Sequence, residues 1–276
     1  GVQTCALPIY AQDFGDLTVA RSDLGAASNN VRGIFAGGFG AAYSNVIDYV
    51  TIASTGNATD FGDLLAAKNN LTGCASSVRA LFAGGNNSGG TVLSVIEYVT
   101  IASAGNATNF GNLTAARQSP AGCSSSTRGV FGGGYNSGSS NVIDYVTITT
   151  TGNATDFGDL TVAIGIAAGC SSATVGLNGG GYYNSIIINQ VTIASAGNAT
   201  SFGNLTQGRY SLASCSSQLR GVWAGGTDGS PANTIDYVTI ASASNATDFG
   251  DLTVARQYRS EEHTSELQSH SFISYA

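Results

Sequence analysis

Three features of the sequence predict an all-β fold, a β-propeller built from four-stranded blades about 47 residues long. One block recurs along nearly the whole chain, each copy is rich in strand-forming residues, and no copy shows helical periodicity. The block is clearest at residues 141–163, NVIDYVTITTTGNATDFGDLTVA, and its Phe falls at positions 14, 61, 110, 157, 202 and 249. The steps of 47, 49, 47, 45 and 47 residues belong to a repeat architecture and match the size of a propeller blade. The copies give five complete units, near residues 22–65, 69–114, 118–161, 165–206 and 210–253, preceded by one strand, that of Phe14, from a further unit.

Each unit carries four short segments. The first is a run of small residues such as Ala121-Gly-Cys-Ser-Ser-Ser. The second, Arg128-Gly-Val-Phe, ends in the glycine pair Gly133-Gly134. The third, Asn141-Val-Ile-Asp-Tyr-Val-Thr-Ile, has the β-branched and aromatic residues of a strand. The fourth, Thr155-Asp-Phe-Gly-Asp-Leu-Thr, is reached through a turn at Gly152-Asn153. An open β-solenoid would share the period, but four strands per unit fit a meander better than a coil. In this arrangement the fourth-segment Phe is a blade-to-blade packing residue, worth about 1.5–3 kcal/mol on burial.

These residues resemble the kelch-type repeat, on the glycine pair Gly133-Gly134, the third-strand Tyr145, the fourth-strand Phe157 and an Arg shortly after it, as at Arg117 or Arg256. The resemblance covers nearly all of residues 10–258 and implies a kelch-like β-propeller. The chain departs from the pattern in placing Phe where that family usually has Trp.

The two ends read differently. RSEEHTSELQS at residues 259–269 resembles a translation of a common short-read sequencing adapter, and GVQTCALPI at 1–9 reads from the reverse complement of the same oligonucleotide. ISYA at 273–276 fits the adapter's continuation. Residues 1–9 and 259–276 are therefore expected to be adapter-derived tails flanking a repeat region at 10–258. That region is expected to be part of a longer chain with six or seven blades. Setting the tails aside removes Cys5 and both histidines, His263 and His270.

Composition narrows the function. A hydrophobic fraction of 42% supports a core, and no apolar run of membrane-spanning length occurs. The net charge of -7 and a single lysine, Lys68, give no basic stripe for nucleic acid and no polybasic membrane patch. With no His in the repeat region there is no Ser-His triad, Cys-His pair or His-ligated metal. Cys74, Cys123, Cys170 and Cys215 share one slot, filled by Ala27 in the first unit, and are expected to be separate small thiols around a ring. The carboxylates of Asp60 and Asp63 become amides at Asn109 and Asn112, so this pair reads as turn chemistry around a core Phe rather than a calcium site. The Asn-Ala-Thr tripeptides at Asn57, Asn106, Asn153, Asn198 and Asn245 match glycosylation acceptors, though their place in a tight turn explains them first. No cofactor and no metal are expected.

Every basic residue of the repeats occupies one of two slots: Arg21, Lys68, Arg117, Arg209 and Arg256 after the Phe, or Arg32, Arg79, Arg128 and Arg220 before the glycine pair. The fourth unit loses both, as Ile164 and Val175, together with its third-strand acid, as Asn189. Joint loss predicts one buried Arg–Asp–Arg cluster per blade, since deleting a single partner would strand a buried charge.

Length varies in one place only. From the second glycine of the pair to the third-strand acid, or Asn189 in the fourth unit, is 10, 12, 10, 8 and 10 residues, whereas the acid-to-Phe and Phe-to-Arg-slot spacings are constant at 13 and 18. Variable loops on a rigid scaffold are where binding resides. The five loops, 39–45, 86–94, 135–141, 182–185 and 227–233, are expected on one face, with Tyr43, Tyr135, Tyr182, Tyr183 and Asp228 as ligand-binding residues. The expected function is a non-catalytic recognition scaffold binding protein or glycan, with a Ser/Thr/Asn/Gly surface that suggests an extracellular or virion setting. The alternative is a propeller glycan-active hydrolase or oxidase whose catalytic residues lie outside this sequence.

Overall fold

The computed structural model describes residues 13–257, and among them there is no α-helix. Five four-stranded antiparallel sheets, each in chain order, are arranged as a five-bladed β-propeller. Blade 1 comprises Gly25–Ser28, Arg32–Ala36, Val46–Thr51 and Thr59–Asp63. Blade 2 comprises Thr72–Ala75, Arg79–Ala83, Val95–Thr100 and Thr108–Asn112. Blade 3 comprises Ala121–Ser124, Arg128–Gly132, Ser140–Thr147 and Thr155–Ile164. Blade 4 comprises Ala168–Ser171, Val175–Gly179, Ile187–Thr192 and Thr200–Asn204. Blade 5 comprises Ala213–Ser216, Arg220–Ala224, Thr234–Thr239 and Thr247–Asp251. The first strands surround a central cavity of about 630 Å³.

Local chemistry repeats from blade to blade. The hairpin between the first two strands closes on one side-chain oxygen, from Asn29, Ser76, Ser125, Ser172 or Ser217, which accepts the N–H groups two and three residues on. The fourth strand carries a β-bulge at the Phe: in blade 1 Asp48 faces Asp60 while the adjacent Ile47 faces Gly62, so Phe61 has no partner of its own. The Asp-Phe-Gly-Asp element is thus a bulged strand rather than a turn. Asx-type bonds occur at Asp13 to Gly15 N–H and Asp248 to Gly250 N–H. The bulge aims the Phe at the next blade.

Each blade presents a back face to the following blade and a front face to the preceding one, and the core lies between them. Ile34, Ile47, Phe61 and Leu64 of blade 1 pack on Phe82, Val99, Ile101 and Ala107 of blade 2. Equivalent sets meet at the seams between blades 2 and 3, 3 and 4, and 4 and 5, the blade 3–4 seam without the second-strand aromatic. Volume is matched across each seam. The thiols of Cys74, Cys123 and Cys170 lie where a Cβ on Gly129, Gly176 and Gly221 of the next blade would stand, 2.5–2.8 Å away. At the first seam the smaller Ala27 packs in the same cluster as Ala80, which occupies the equivalent slot with a Cβ of its own.

Hydrogen bonds sew the seams. The turn before each fourth strand donates from Gly56, Gly105, Gly152 and Gly197 to the carbonyls of Phe14, Phe61, Phe110 and Phe157 at 2.6–2.8 Å. In return, the Asn of each Asn-Ala-Thr accepts through Oδ1 from the N–H of Asp16, Asp63, Asn112, Asp159 and Asn204 at 3.0–3.1 Å. These asparagines are clamps between blades as well as turn residues. Close approach here also dictates glycine: a Cβ on Gly111, whose φ is 154°, would lie 2.1 Å from the Gly152 carbonyl oxygen.

The single Arg–Asp–Arg cluster is corrected to two separate ones. The first-slot cations form the buried ion pairs Arg21–Asp48, Lys68–Glu97, Arg117–Asp144 and Arg209–Asp236 at 2.6–2.8 Å. A Thr hydroxyl joins the acid in three of them, from Thr18, Thr114 and Thr206. The second-slot arginines do not reach the acid. Arg32, Arg79, Arg128 and Arg220 stack over Tyr49, Tyr98, Tyr145 and Tyr237 at 4.5–4.6 Å. Each tyrosine makes an edge contact with its blade's Phe at 5.6–5.8 Å, and three of the arginines donate to Ile101, Ile148 or Ile193 of the next blade. The fourth unit lost two clusters, not one: Ile164 with Asn189, and Val175 with Gln190 in the tyrosine slot. It also replaces the second-strand aromatic by Asn178, opposite Asn189, and both are buried.

Two sets of substitutions test these seams by chemical denaturation. Asp144→Asn alone is expected to lose roughly 3–5 kcal/mol by leaving Arg117 unpaired in the interior. Asp144→Asn with Arg117→Ile, which copies blade 4, is expected to lose clearly less, while Arg128→Val is expected to add independently to either. Gly111→Ala and Gly250→Ala share a backbone cost of roughly 1–3 kcal/mol for a left-handed φ. Gly111→Ala is expected to cost several kcal/mol more, because a Cβ at Gly250 meets nothing within 4 Å.

Candidate functional site

Chain direction puts the five variable loops on one face. In each blade the connection between strands 2 and 3 lies beside the segment that enters strand 1: Ser22 bridges to Phe39, Gln118 to Tyr135 and Tyr210 to Thr227, and Asn69 pairs with Asn86. Adjacent loops touch around the rim. Asn86 Nδ2 donates to the Tyr43 hydroxyl at 3.3 Å, and Asn184 Nδ2 donates to the Asp228 carbonyl at 3.2 Å.

The structure gathers four of the five expected residues into one patch and leaves the fifth apart. Tyr182 is the centre, with ring centroids 5.7 Å from Tyr135, 6.2 Å from Tyr183 and 5.1 Å from Tyr210. Asp228 joins through Asn184 and accepts from Gln207 Nε2 at 2.6 Å. The patch therefore spans the loops of blades 3, 4 and 5. Tyr43 sits on blade 1, edge-on to Phe39 at 5.3 Å. Tyr210 was not among the expected residues because it lies outside the variable loops, in the slot directly after Arg209. Only the pairing of that entry segment with the loop brings it to the surface.

Tyr183 is 92% exposed, which its loop explains. Residues 182–185 form the shortest connection, and Tyr183 and Asn184 are consecutive left-handed residues, with φ of 61° and 54°. Two such residues in succession make a tight reversal that projects the Tyr183 ring away from the blade. A cluster of four tyrosine rings in edge and tilted contact, with Tyr183 exposed and flanked by a carboxylate and two amides, can accept the apolar face of a ring or a flat side chain and orient its polar edge.

The central cavity opens on the same face through a ring of equivalent residues, Asp23, Asn70, Ser119, Ile166 and Ser211, each left-handed with φ between 47° and 57°. Backbone bonds run blade to blade around this mouth, Asn70 N–H to the Asp23 carbonyl and Ser119 N–H to the Asn70 carbonyl. Burial raises the Asp23 carboxyl above its ordinary range, partly offset by the Ser22 hydroxyl.

The four cysteines of the repeats are free thiols, one in each of blades 2 to 5. Burial pushes Cys123 up to about 12 and Cys215 up to about 11, and raises Cys74 and Cys170 as well. They stay protonated at neutral pH and are poor nucleophiles. Compared with known proteins, the chain matches no family model and no curated sequence.

The raised thiols set an alkaline limit on stability. Their folded pKa values exceed the unfolded one, so their contribution is complete below the ordinary thiol value of 9.0 and is lost as pH climbs through the folded values. Denaturation midpoints are expected to fall between pH 9 and 11, by up to about 1.4 kcal/mol per pH unit for each thiol. The variant with all four changed to Ala should lose this slope.

Proposed function

We propose that this propeller is a non-catalytic recognition scaffold that binds a protein or glycan ligand through the loop face, with Tyr135, Tyr182, Tyr183 and Asp228 as the main contacts and Tyr43 as an outlying one. The observation that carries the reading is the Tyr182-centred platform, with Tyr183 held 92% exposed beside Asp228. Rigid aromatic rings supply contact area at little conformational cost, and an exposed aromatic group ringed by polar residues is a common signature of an interaction site. The kelch-like features, namely the glycine pair, the strand-three Tyr and the strand-four Phe, are consistent with this role. The low lysine content and the hydroxyl- and amide-rich surface support an extracellular or virion-surface setting. Among the described residues no helix is long and apolar enough to cross a membrane.

A glycan array and a protein array probed with the full chain test this proposal. Tyr182→Ser and Tyr183→Ser are expected to weaken any hit at least tenfold while leaving the circular dichroism and melting of the fold unchanged. Hits that ignore both substitutions would remove the loop-face assignment.

A further inference from the structure

Among the described residues four back faces are covered and one is not. Phe61, Phe110, Phe157 and Phe202 are 2–3% exposed beneath the next blade, whereas Phe249 of blade 5 is 56% exposed. Its neighbours on that face, Val222, Ile235 and Leu252, are only half-buried, while the equivalents in blade 1, Ile34, Ile47 and Leu64, are buried. The central cavity spreads sideways here, reaching Ala224, Gly226 and Gln257 as well as the first strands.

Opposite this face, residues 13–17 stand on blade 1 as a fourth strand stands on the blade that follows it. The Phe14 carbonyl accepts from Gly56, the Asp16 carbonyl accepts from Ala58, and Asp16 N–H donates to Asn57 Oδ1. Phe61 and Asp63 make the same bonds to Gly105, Ala107 and Asn106. Yet none of the residues 13–17 belongs to a described sheet.

We infer that the back face of blade 5 is a docking surface for the first three strands of one more blade of this repeat, whose fourth strand is residues 13–17. The occupant's chemistry is stated by the covered seams: an aromatic on its second strand, as in three of the four, and in all four apolar β-branched residues at the end of its third and an Ala in the turn that follows. A single such unit would cover Phe249 and give residues 13–17 their sheet. A second copy of this chain docked head to tail does not fit, because the front face of blade 1, shaped to receive a back face, is already covered by residues 14–17 and leaves Phe35 only 1% exposed.

The test compares Phe249→Ser with Phe202→Ser in the full chain and in the chain with a copy of residues 211–240 inserted after Gln257. Without the insert, Phe249→Ser is expected to shift the melting midpoint by about 2 °C or less, and Phe202→Ser to lower it by at least about 6 °C. With the insert, Phe249→Ser should become as damaging as Phe202→Ser, and amide exchange at residues 15–17 should slow about a hundredfold, as expected for sheet amides that open only with the core. A second insert copying residues 70–101 guards against misfolding of the first. The inference falls if Phe249→Ser is already damaging without an insert, or if light scattering shows a dimer that this substitution dissolves. It also falls if neither insert protects both Phe249 and residues 15–17.

Discussion

No blade of this protein can bury its own apolar side chains, and that constraint organises everything else. A single antiparallel sheet has two faces and no interior, so the side chains of each strand find cover only on a neighbouring blade. The second-strand aromatic, the bulged Phe and the third-strand isoleucine of successive units therefore meet at seams rather than within units. The matching is specific to each seam: three thiols face three glycines, and the one alanine in the thiol slot faces an alanine. Residue identity at one position is thus conditioned by the next blade, about 47 residues on in the sequence.

The buried ion pairs obey the same conditioning. Three of the four are Arg with Asp, with a Thr hydroxyl on the acid. The other combines a shorter cation, Lys68, with a longer acid, Glu97, and has Leu65 where the Thr would be, with the Leu65 N–H donating to Glu97 at 3.2 Å. Length gained on one partner offsets length lost on the other, so the charges still meet at 2.8 Å. In the fourth unit the pair is gone altogether. A buried pair contributes little net stability against a well-packed apolar replacement, whereas half a pair is strongly destabilising. Whole-set exchange is the course that energetics leaves open.

The fold was legible in the sequence because periodicity reports directly on the unit, and the constant spacings report on its rigid parts. The Phe of DFGD was readable as a packing residue for the same reason. What spacing could not show is which side chain faces which. Arg128 and Arg117 vanish together in unit 4, yet one stacks on Tyr145 and the other binds Asp144, because adjacent strand positions point to opposite faces. The clamp from Asn57 to Asp16 was hidden because its partners belong to different units. The bulge at Phe61 was hidden because an extra residue in one strand leaves no mark on the repeat length. At the candidate site, four of the five expected residues converge, since loop length identified the face. Tyr210 escaped because it reaches that face from a segment of constant length.

The rim makes no use of the repeated seam contacts, which explains why variation concentrates where it does. The repeated inter-blade clamps use the second-strand arginines, the bulged strand and the turn before it, whereas the residues between the glycine pair and the third strand meet across blades only through contacts that differ from loop to loop, such as Asn86 to Tyr43 and Asn184 to Asp228. A change of two residues in that connection, as between units 2, 3 and 4, therefore alters the outer surface without moving a seam. Unit 4 departs furthest in both respects, with the shortest loop and the apolar seam slot Ile164. It also supplies Tyr182 and Tyr183, the centre and the exposed edge of the aromatic platform. The propeller's stability resides in contacts between equivalent positions, so the unequal positions at its rim are free to vary.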